Sequence, residues 1–348
     1  MRILLTADPE LPVPPLGYGG IERIVASLAE HFRMHGHDVG LVAHHESQAR
    51  VTTLFPWNAV RSGDVHRHLQ HSTTLTRAAR KFCPDVIHSF SRLLYLLRIL
   101  ATHRQATVMS YQRHTGGRGL SVGAKLGGRA FAFTGCSEYI CRQGRPRGGA
   151  WHAIPNFVDV ESIPFQPTTA LDAPLLFLSR IEEIKGPHLA IAIARTAQRR
   201  LILAGNRVDN DAGQRFWRRE IEPHLGHDGV EWVGEVDDSR KWELMKQASA
   251  LVVPIQWDEP FGIVFVEALA AGVPVITCAR GATPEIIAHG VTGFFIEGVA
   301  DGVIAVNSLK TIDRTACRNC AASRFDRTII ANRYLALYQE LIASASGT

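Results

Sequence analysis

Glu259-Pro260-Phe261-Gly262-Ile263-Val264-Phe265-Val266-Glu267, continued by Ala268-Leu269-Ala270-Ala271-Gly272-Val273-Pro274-Val275-Ile276, decides how this chain is read. Two carboxylates stand eight positions apart across a loop and the start of a helix. The helix finishes at Gly272, and Val273–Ile276 opens a hydrophobic strand. A helix N-terminus that follows a glycine offers free N–H groups and the positive end of the helix dipole, which suits a diphosphate. Glu267 lies one to two turns inside the helix, at ~1.5 Å rise per residue. Its oxygens can accept hydrogen bonds from two adjacent sugar hydroxyls. Glu259, in the loop, can do the same for a second sugar. A diphosphate with a sugar on each side is a nucleotide-sugar.

Upstream, Ser179-Arg180-Ile181-Glu182-Glu183-Ile184-Lys185-Gly186 follows a buried strand and precedes a helix. Two cations five apart on such a loop can converge on one pyrophosphate, Arg180 through a fixed fork and Lys185 as a mobile point charge. Around these stretches the chain alternates strands and helices. Ile3–Ala7, Val39–Ala43, Pro84–His88, Thr107–Tyr111 and Ala130–Cys136 read as strands of the first half, and Ile21–His35 has helical spacing. A second series begins with the strand Leu175–Leu178 and runs through Leu201–Ala204, Val230–Val233 and Ala250–Ile255, with helices over Gly186–Gln198 and Arg240–Gln247. Two such βαβ series predict two domains with parallel sheets. Pro155–Pro174, with four prolines, separates them. Thr328–Ile342 reads as an amphipathic terminal helix.

The Glu259–Glu267 stretch with its Pro-Phe-Gly and Glu-Ala-Leu-Ala-Ala-Gly-Val-Pro-Val resembles the paired-glutamate motif of retaining family 4 glycosyltransferases. The resemblance covers most of the chain and is strongest over 175–297. Gly281-Ala282-Thr283-Pro284-Glu285 and Gly290-Val291-Thr292-Gly293-Phe294 match the family's downstream pattern. Arg180 and Lys185 match its Gly-Arg-x4-Lys-Gly element, with Ser179 in place of the glycine.

The resemblance implies the α/β GT-B fold: two Rossmann-like domains facing across a cleft, with the C-terminal helix crossing back to the first. Residues 1–165, with 328–348 packing back, would bind the acceptor, and 166–327 the nucleotide-sugar. It implies Arg180, Lys185, Glu259 and His114 as catalytic residues. The donor set adds Gly19, Gly20, Asn156, Gly205, Val233, Phe261, Gly262, Ile263 and Glu267. Gly17-Tyr18-Gly19-Gly20 resembles the family's N-terminal glycine loop. Ile154-Pro155-Asn156-Phe157-Val158-Asp159 departs from the family's pattern at Phe157, where glycine is usual. His88, Arg113 and Tyr18 are candidate acceptor contacts, and a structural histidine is the equal alternative for both His88 and His114.

The implied reaction moves a hexose-type sugar from a nucleoside-diphosphate sugar, a UDP-sugar ahead of a GDP-sugar, to an acceptor hydroxyl with retention and without metal or cofactor. Bacterial-type glycan, glycolipid or natural-product biosynthesis is the setting. The rivals are a glycoside hydrolase using Glu259 and Glu267 as acid and nucleophile, a nucleotide-sugar epimerase, a sugar phosphorylase, and a non-catalytic nucleotide-sugar-binding protein.

Composition bounds the rest. At 348 residues with 46% hydrophobic and 20% charged, the chain has the balance of a globular protein of about two domains. No apolar run reaches the ~18–20 residues of a membrane span, so a cytoplasmic protein is expected. Cys317 and Cys320 form a lone CxxC without a second pair at zinc spacing. The net charge of +5 is uneven, +8 over residues 1–165 and −3 over the remainder. The densest basic stretch runs through Arg61, His66, Arg67, His68, His71, Arg77, Arg80 and Lys81. A basic half suits an acidic acceptor or peripheral contact with an anionic membrane at its inner face; a solvated helix face is the other reading. No motif or aromatic interleaving supports nucleic acid. The first domain resembles a form of the family with shortened loops, especially over the glycine-rich Thr115–Phe133, which implies a more open acceptor cleft.

Overall fold

The structure, a computed structural model, describes residues 1–17, 19–57, 65–102, 105–115, 117, 119–170 and 172–346. The chain divides into two compact units, Met1–Asn156 with Arg327–Thr348, and Phe157–Asp326. The expected boundary at 165/166 thus falls nine residues late. Residues after Asn156 are stitched into the second unit. Val158 N–H donates to Phe325 O (3.0 Å), and Val160 N–H donates to the Asp326 carboxylate (3.3 Å).

In the first unit the order is β1 (Arg2–Thr6), α1 (Gly20–Met34), β2 (Asp38–Ala43), β3 (Thr53–Pro56), α2 (Val65–Phe82), β4 (Val86–Ser89), α3 (Leu93–Thr102), β5 (Ala106–Tyr111), α4 (Gly119–Gly127), β6 (Phe131–Gly135), α5 (Glu138–Gly144) and β7 (Ala150–Ala153). Seven parallel strands pair in the order β3-β2-β1-β4-β5-β6-β7. The sheet is buried on both faces, so β1 and β2 are near-continuous aliphatic runs: Ile3, Leu4, Leu5, Val39 and Leu41 are fully buried. The glycine-rich segment Thr115–Phe133 carries α4. Its Gly123 lets it close on Leu93, where a Cβ would come within 3.0 Å of the leucine methyls.

The second unit continues with β8 (Leu175–Leu178), α6 (Pro187–Thr196), β9 (Leu201–Ala204), α7 (Asp211–Phe216), β10 (Val230–Trp232), α8 (Asp238–Gln247), β11 (Ala250–Val252), α9 (Ile263–Ala270), β12 (Val275–Thr277), α10 (Thr283–Ile286), β13 (Gly293–Phe295), α11 (Val299–Asn307) and α12 (Arg314–Phe325). Its six parallel strands run β10-β9-β8-β11-β12-β13. In such a sheet ligands bind beyond the carboxyl ends of the strands where the order reverses. Here that point lies between β8 and β11.

The last helix, α13 (Arg327–Ser346), belongs to the first unit. Ile330, Tyr334, Leu337, Tyr338 and Leu341 repeat at helical spacing and are buried. Each such side chain contributes about 1.5–3 kcal/mol by leaving water. Beneath them lies a polar core. His88 Nδ1 meets Tyr338 OH (2.5 Å) and His88 Nε2 meets Ser110 Oγ (2.6 Å). Ser110 continues to Thr134. His88 is therefore fully buried, with both ring nitrogens used inside the core. The expectation that it meets an acceptor gives way to the structural reading, because α13 covers it.

Burial pushes the His88 imidazole down to about 3. An unfolded histidine takes up a proton near pH 6.5, whereas this one does not until far lower. Stability is therefore full above pH 6.5 and falls as pH drops toward 3, by about 1.4 kcal/mol per pH unit for one proton. His88→Gln is expected to flatten that part of the profile. Denaturant unfolding at pH 7 and pH 4.5 reads this, and equal slopes for the two proteins would rule it out.

Candidate functional site

The loops that follow β8 and β11 emerge side by side because those strands are neighbours. They are tied by Gln256 N–H donating to Ile184 O (2.7 Å). Gly186 makes the close approach possible. It sits at φ +74°, caps α6, and a Cβ there would lie 2.1 Å from Pro254 O. The result brings Lys185 Nζ to Glu259 Oε2 at 2.5 Å, with the two side chains only 12% and 11% exposed. Trp257 serves both. Its indole N–H donates to the same Glu259 oxygen (3.0 Å), and its ring lies under the Lys185 ammonium, 4.8 Å from the centroid. Arg180, more exposed, pairs with Glu182 at 3.1 Å.

Glu259 is held from behind as well. Its carbonyl accepts from Ala282 N–H (2.8 Å), and Gly281, at φ +61°, presses against its backbone. Gly262 at φ +90° opens α9, and no side chain caps that end. Most of α9 is buried. Only Ile263, Val264 and Glu267 reach the surface, one strip running from the open N-terminus along a single turn. Glu267 is gripped by Lys241 of α8, Nζ to Oε1 at 2.6 Å, and Lys241 also holds Asp238 at 3.0 Å. The arrangement offers two cations, free helix amides and a positioned carboxylate on one side of one sheet. Such a set binds a diphosphate ester and its sugar hydroxyls.

Three expected donor contacts are occupied within the second unit. Gly205 N–H donates to Gly234 O, and Gly205 O accepts from the Trp232 indole (3.1 Å). Val233 N–H donates to Leu203 O. These backbone groups complete the sheet edge and leave only the Val233 carbonyl for a base. The Phe261 ring is buried against Phe325. In the first unit, Gly19 and Gly20 open α1 with no side-chain cap, and Asn156 is buried at the end of the unit. His114 and Arg113 are exposed beyond β5; His114 packs edge-on to Tyr139 and bonds Gln143. Tyr18 lies outside the described residues, as do Arg61 and the side chain of His66.

Reading the sequence missed Lys241 and Trp257, and in the first unit a group at the carboxyl edge of β1 and β5. Asp8 and Glu22 sit there, both with carboxyls pushed up by burial, which outweighs the nearby cations Arg92 and Arg113 at Asp8 and Arg113 at Glu22. Asp8 Oδ1, both amide atoms of Gln112 and Thr115 Oγ1 are buried there without a hydrogen bond. The only signal was position: Asp8 ends the first strand and Glu22 follows the glycine loop. Among the described residues one group sets metal-type ligands together, His44, His45 and Glu46 beyond β2. Cys317 is buried in α12, and burial pushes its thiol up to about 12.

Two family models match the chain, Glycosyl transferases group 1 over residues 161–313 and Glycosyltransferase Family 4 over residues 18–162. The phosphatidyl-myo-inositol mannosyltransferase of Mycobacterium tuberculosis is 28% identical, covering 99% of this chain and 98% of its own. AviGT4, a glycosyltransferase involved in avilamycin A biosynthesis, has the same fold: TM-score 0.72, 24% identity, 98% of each chain covered. So does HepE from Anabaena in complex with UDP and glucose, with TM-score 0.72, 19% identity, and 97% of this chain and 98% of that one covered.

Gly186→Ala puts a methyl into Pro254 O at a left-handed backbone position. It is expected to cost about 2–4 kcal/mol of stability. Chemical denaturation measures this, and a variant as stable as the parent would refute the proposed bracing of the two loops.

Proposed function

The chain belongs to the family 4 glycosyltransferases of GT-B fold, and from that premise we propose that its donor is a nucleoside-diphosphate sugar whose sugar passes, with retention, to an acceptor hydroxyl. The observation that carries the reading is Lys185 fixed by Glu259 beside the uncapped N-terminus of α9, with Glu267 one turn further. A UDP-sugar is favoured over a GDP-sugar; the HepE complexes with UDP and UDP-glucose support this choice. The setting is glycan, glycolipid or natural-product biosynthesis.

In the transfer, the bond from the sugar's anomeric carbon to the diphosphate oxygen breaks, and its electron pair leaves on the diphosphate. The acceptor oxygen bonds to the anomeric carbon on the same face. The acceptor's proton passes to the departing phosphate oxygen, so no separate base is required. Charge grows on the diphosphate as the bond breaks. Arg180, Lys185 and the first amides of α9 stabilise it, and most of their effect falls on the transition state. Side chains and amides carry this task, without metal. Glu267 accepts from the ribose hydroxyls, and Glu259 orients the transferred sugar while holding Lys185 in place.

Purified protein is tested against UDP-, GDP-, ADP- and dTDP-sugars without added metal, following thermal shift and nucleotide release. One nucleotide is expected to stabilise the protein, with turnover or slow hydrolysis lost in both Glu267→Ala and Lys185→Ala. No shift with any nucleotide would overturn the donor assignment. Lys241→Met frees Glu267, and donor affinity is expected to fall about tenfold, ~1.4 kcal/mol, with kcat less affected. An unchanged donor KM would mean that Lys241 does not position the carboxylate.

A further inference from the structure

α2, α3 and α4 lie side by side on one face of the first sheet, and their inner residues, among them Leu75, Leu96 and Leu120, share one core. Between Val65 and Ser137 the chain has eleven Lys/Arg and a single acidic residue, Asp85. Asp85 stands off the three helices and bonds the Arg2 amide. No carboxylate therefore stands on α2, α3 or α4. The outer face is also apolar in part. Leu69, Leu94, Val122 and Leu126 are 63%, 48%, 49% and 41% exposed. On α4, Val122, Lys125 and Leu126 make one outward stripe, and Arg129, in the turn that follows the helix, is exposed as well. Arg98 lies one turn beyond Leu94 on α3. Helices that connect parallel strands begin at the strands' carboxyl edge. Leu69, Leu94 and Val122 all fall in the first or second turn of their helices, so they stand toward that edge.

The two features together select the partner. An acidic polysaccharide or a nucleic acid would engage the cations but stays hydrated and gains nothing from four exposed aliphatic side chains. An anionic bilayer takes both, headgroups by the cations and the acyl boundary by the aliphatic groups. No helix among the described residues is long and apolar enough to cross a membrane, so the contact is with the surface. We propose that the α2–α3–α4 face docks on an anionic lipid bilayer. An acceptor held in that bilayer would meet the chain near the edge where Asp8 and Gln112 lie.

Flotation of the full chain with vesicles of phosphatidylcholine alone, or of phosphatidylcholine with phosphatidylglycerol, tests this without turnover. The outcome is therefore independent of the donor assignment. Binding is expected to the phosphatidylglycerol vesicles and to weaken with salt. Lys125→Glu with Arg129→Glu, and separately Val122→Ser with Leu126→Ser, are each expected to lower partitioning about tenfold. Thermal unfolding is expected to match the parent for both pairs, since all four residues are at the surface. Absence of binding to anionic vesicles, equal binding to phosphatidylcholine alone, or full binding by the Val122/Leu126 variant would each overturn the proposal. So would capture by heparin beads without capture by vesicles, which would mark the face as one for anionic polymers.

Discussion

Lys185 and Glu259 are 74 positions apart in the chain and meet at 2.5 Å with little of either side chain left in water. Removing two ions from water costs several kcal/mol each, and their attraction roughly repays that rather than adding stability. What the pair supplies is location. A lone lysine on the 179–186 loop would extend its ammonium into solvent; between a carboxylate and an indole face it has one position. The lysine has three N–H donors, and its bond to Glu259 uses one. It can therefore keep its anchor and still meet a second anion. Arg180 sits in the same relation to Glu182, further out. The loop carries Arg180 and Lys185 with Glu182 and Glu183, so it rests near neutrality, and both cations are anchored before any anion arrives.

Much of this was legible in the chain because it is local. The alternation of strands and helices, the glycine before α9 and the spacing that places Glu267 one turn inside it are all periodicities of the backbone. The pairings were not legible. That Lys185 meets Glu259 follows from β8 and β11 being adjacent in the sheet, and that Lys241 meets Glu267 follows from α8 lying beside α9. Strand order is set by long-range packing, and no spacing in the sequence encodes it. The strands β3, β7 and β13 were missed for a different reason. They lie at sheet edges and are only partly buried, so they lack the continuous apolar run that marks β8 and β9, which are no longer than β3 and β7.

His88 and Gly205 illustrate two ways in which a strand end misleads. Asp-Val-Ile-His reads as a strand whose last residue emerges at the ligand edge, and the edge is where such residues serve. Whether it emerges depends on Tyr338, 250 positions later. At Gly205 the difficulty is the backbone itself. Strand-end carbonyls and amides resemble free recognition groups until the neighbouring turn is in place, and buried backbone groups seldom remain unpaired. Gly234 and Trp232 claim both polar groups of Gly205.

The +8 of the first 165 residues suggested an acidic ligand for that half as a whole, but charge acts over about 8 Å in physiological salt. Its local distribution is therefore what a ligand meets. Glu10 and Glu22 stand close enough to Asp8 to affect its ionisation or share in its field, with Arg92 and Arg113 among them. That edge is mixed in sign and partly buried, suited to hydroxyls and alternating charge. The helices α2, α3 and α4, by contrast, carry Lys and Arg and no Asp or Glu of their own. One net charge thus conceals two surfaces with different chemistry, and each must be read from its own neighbours.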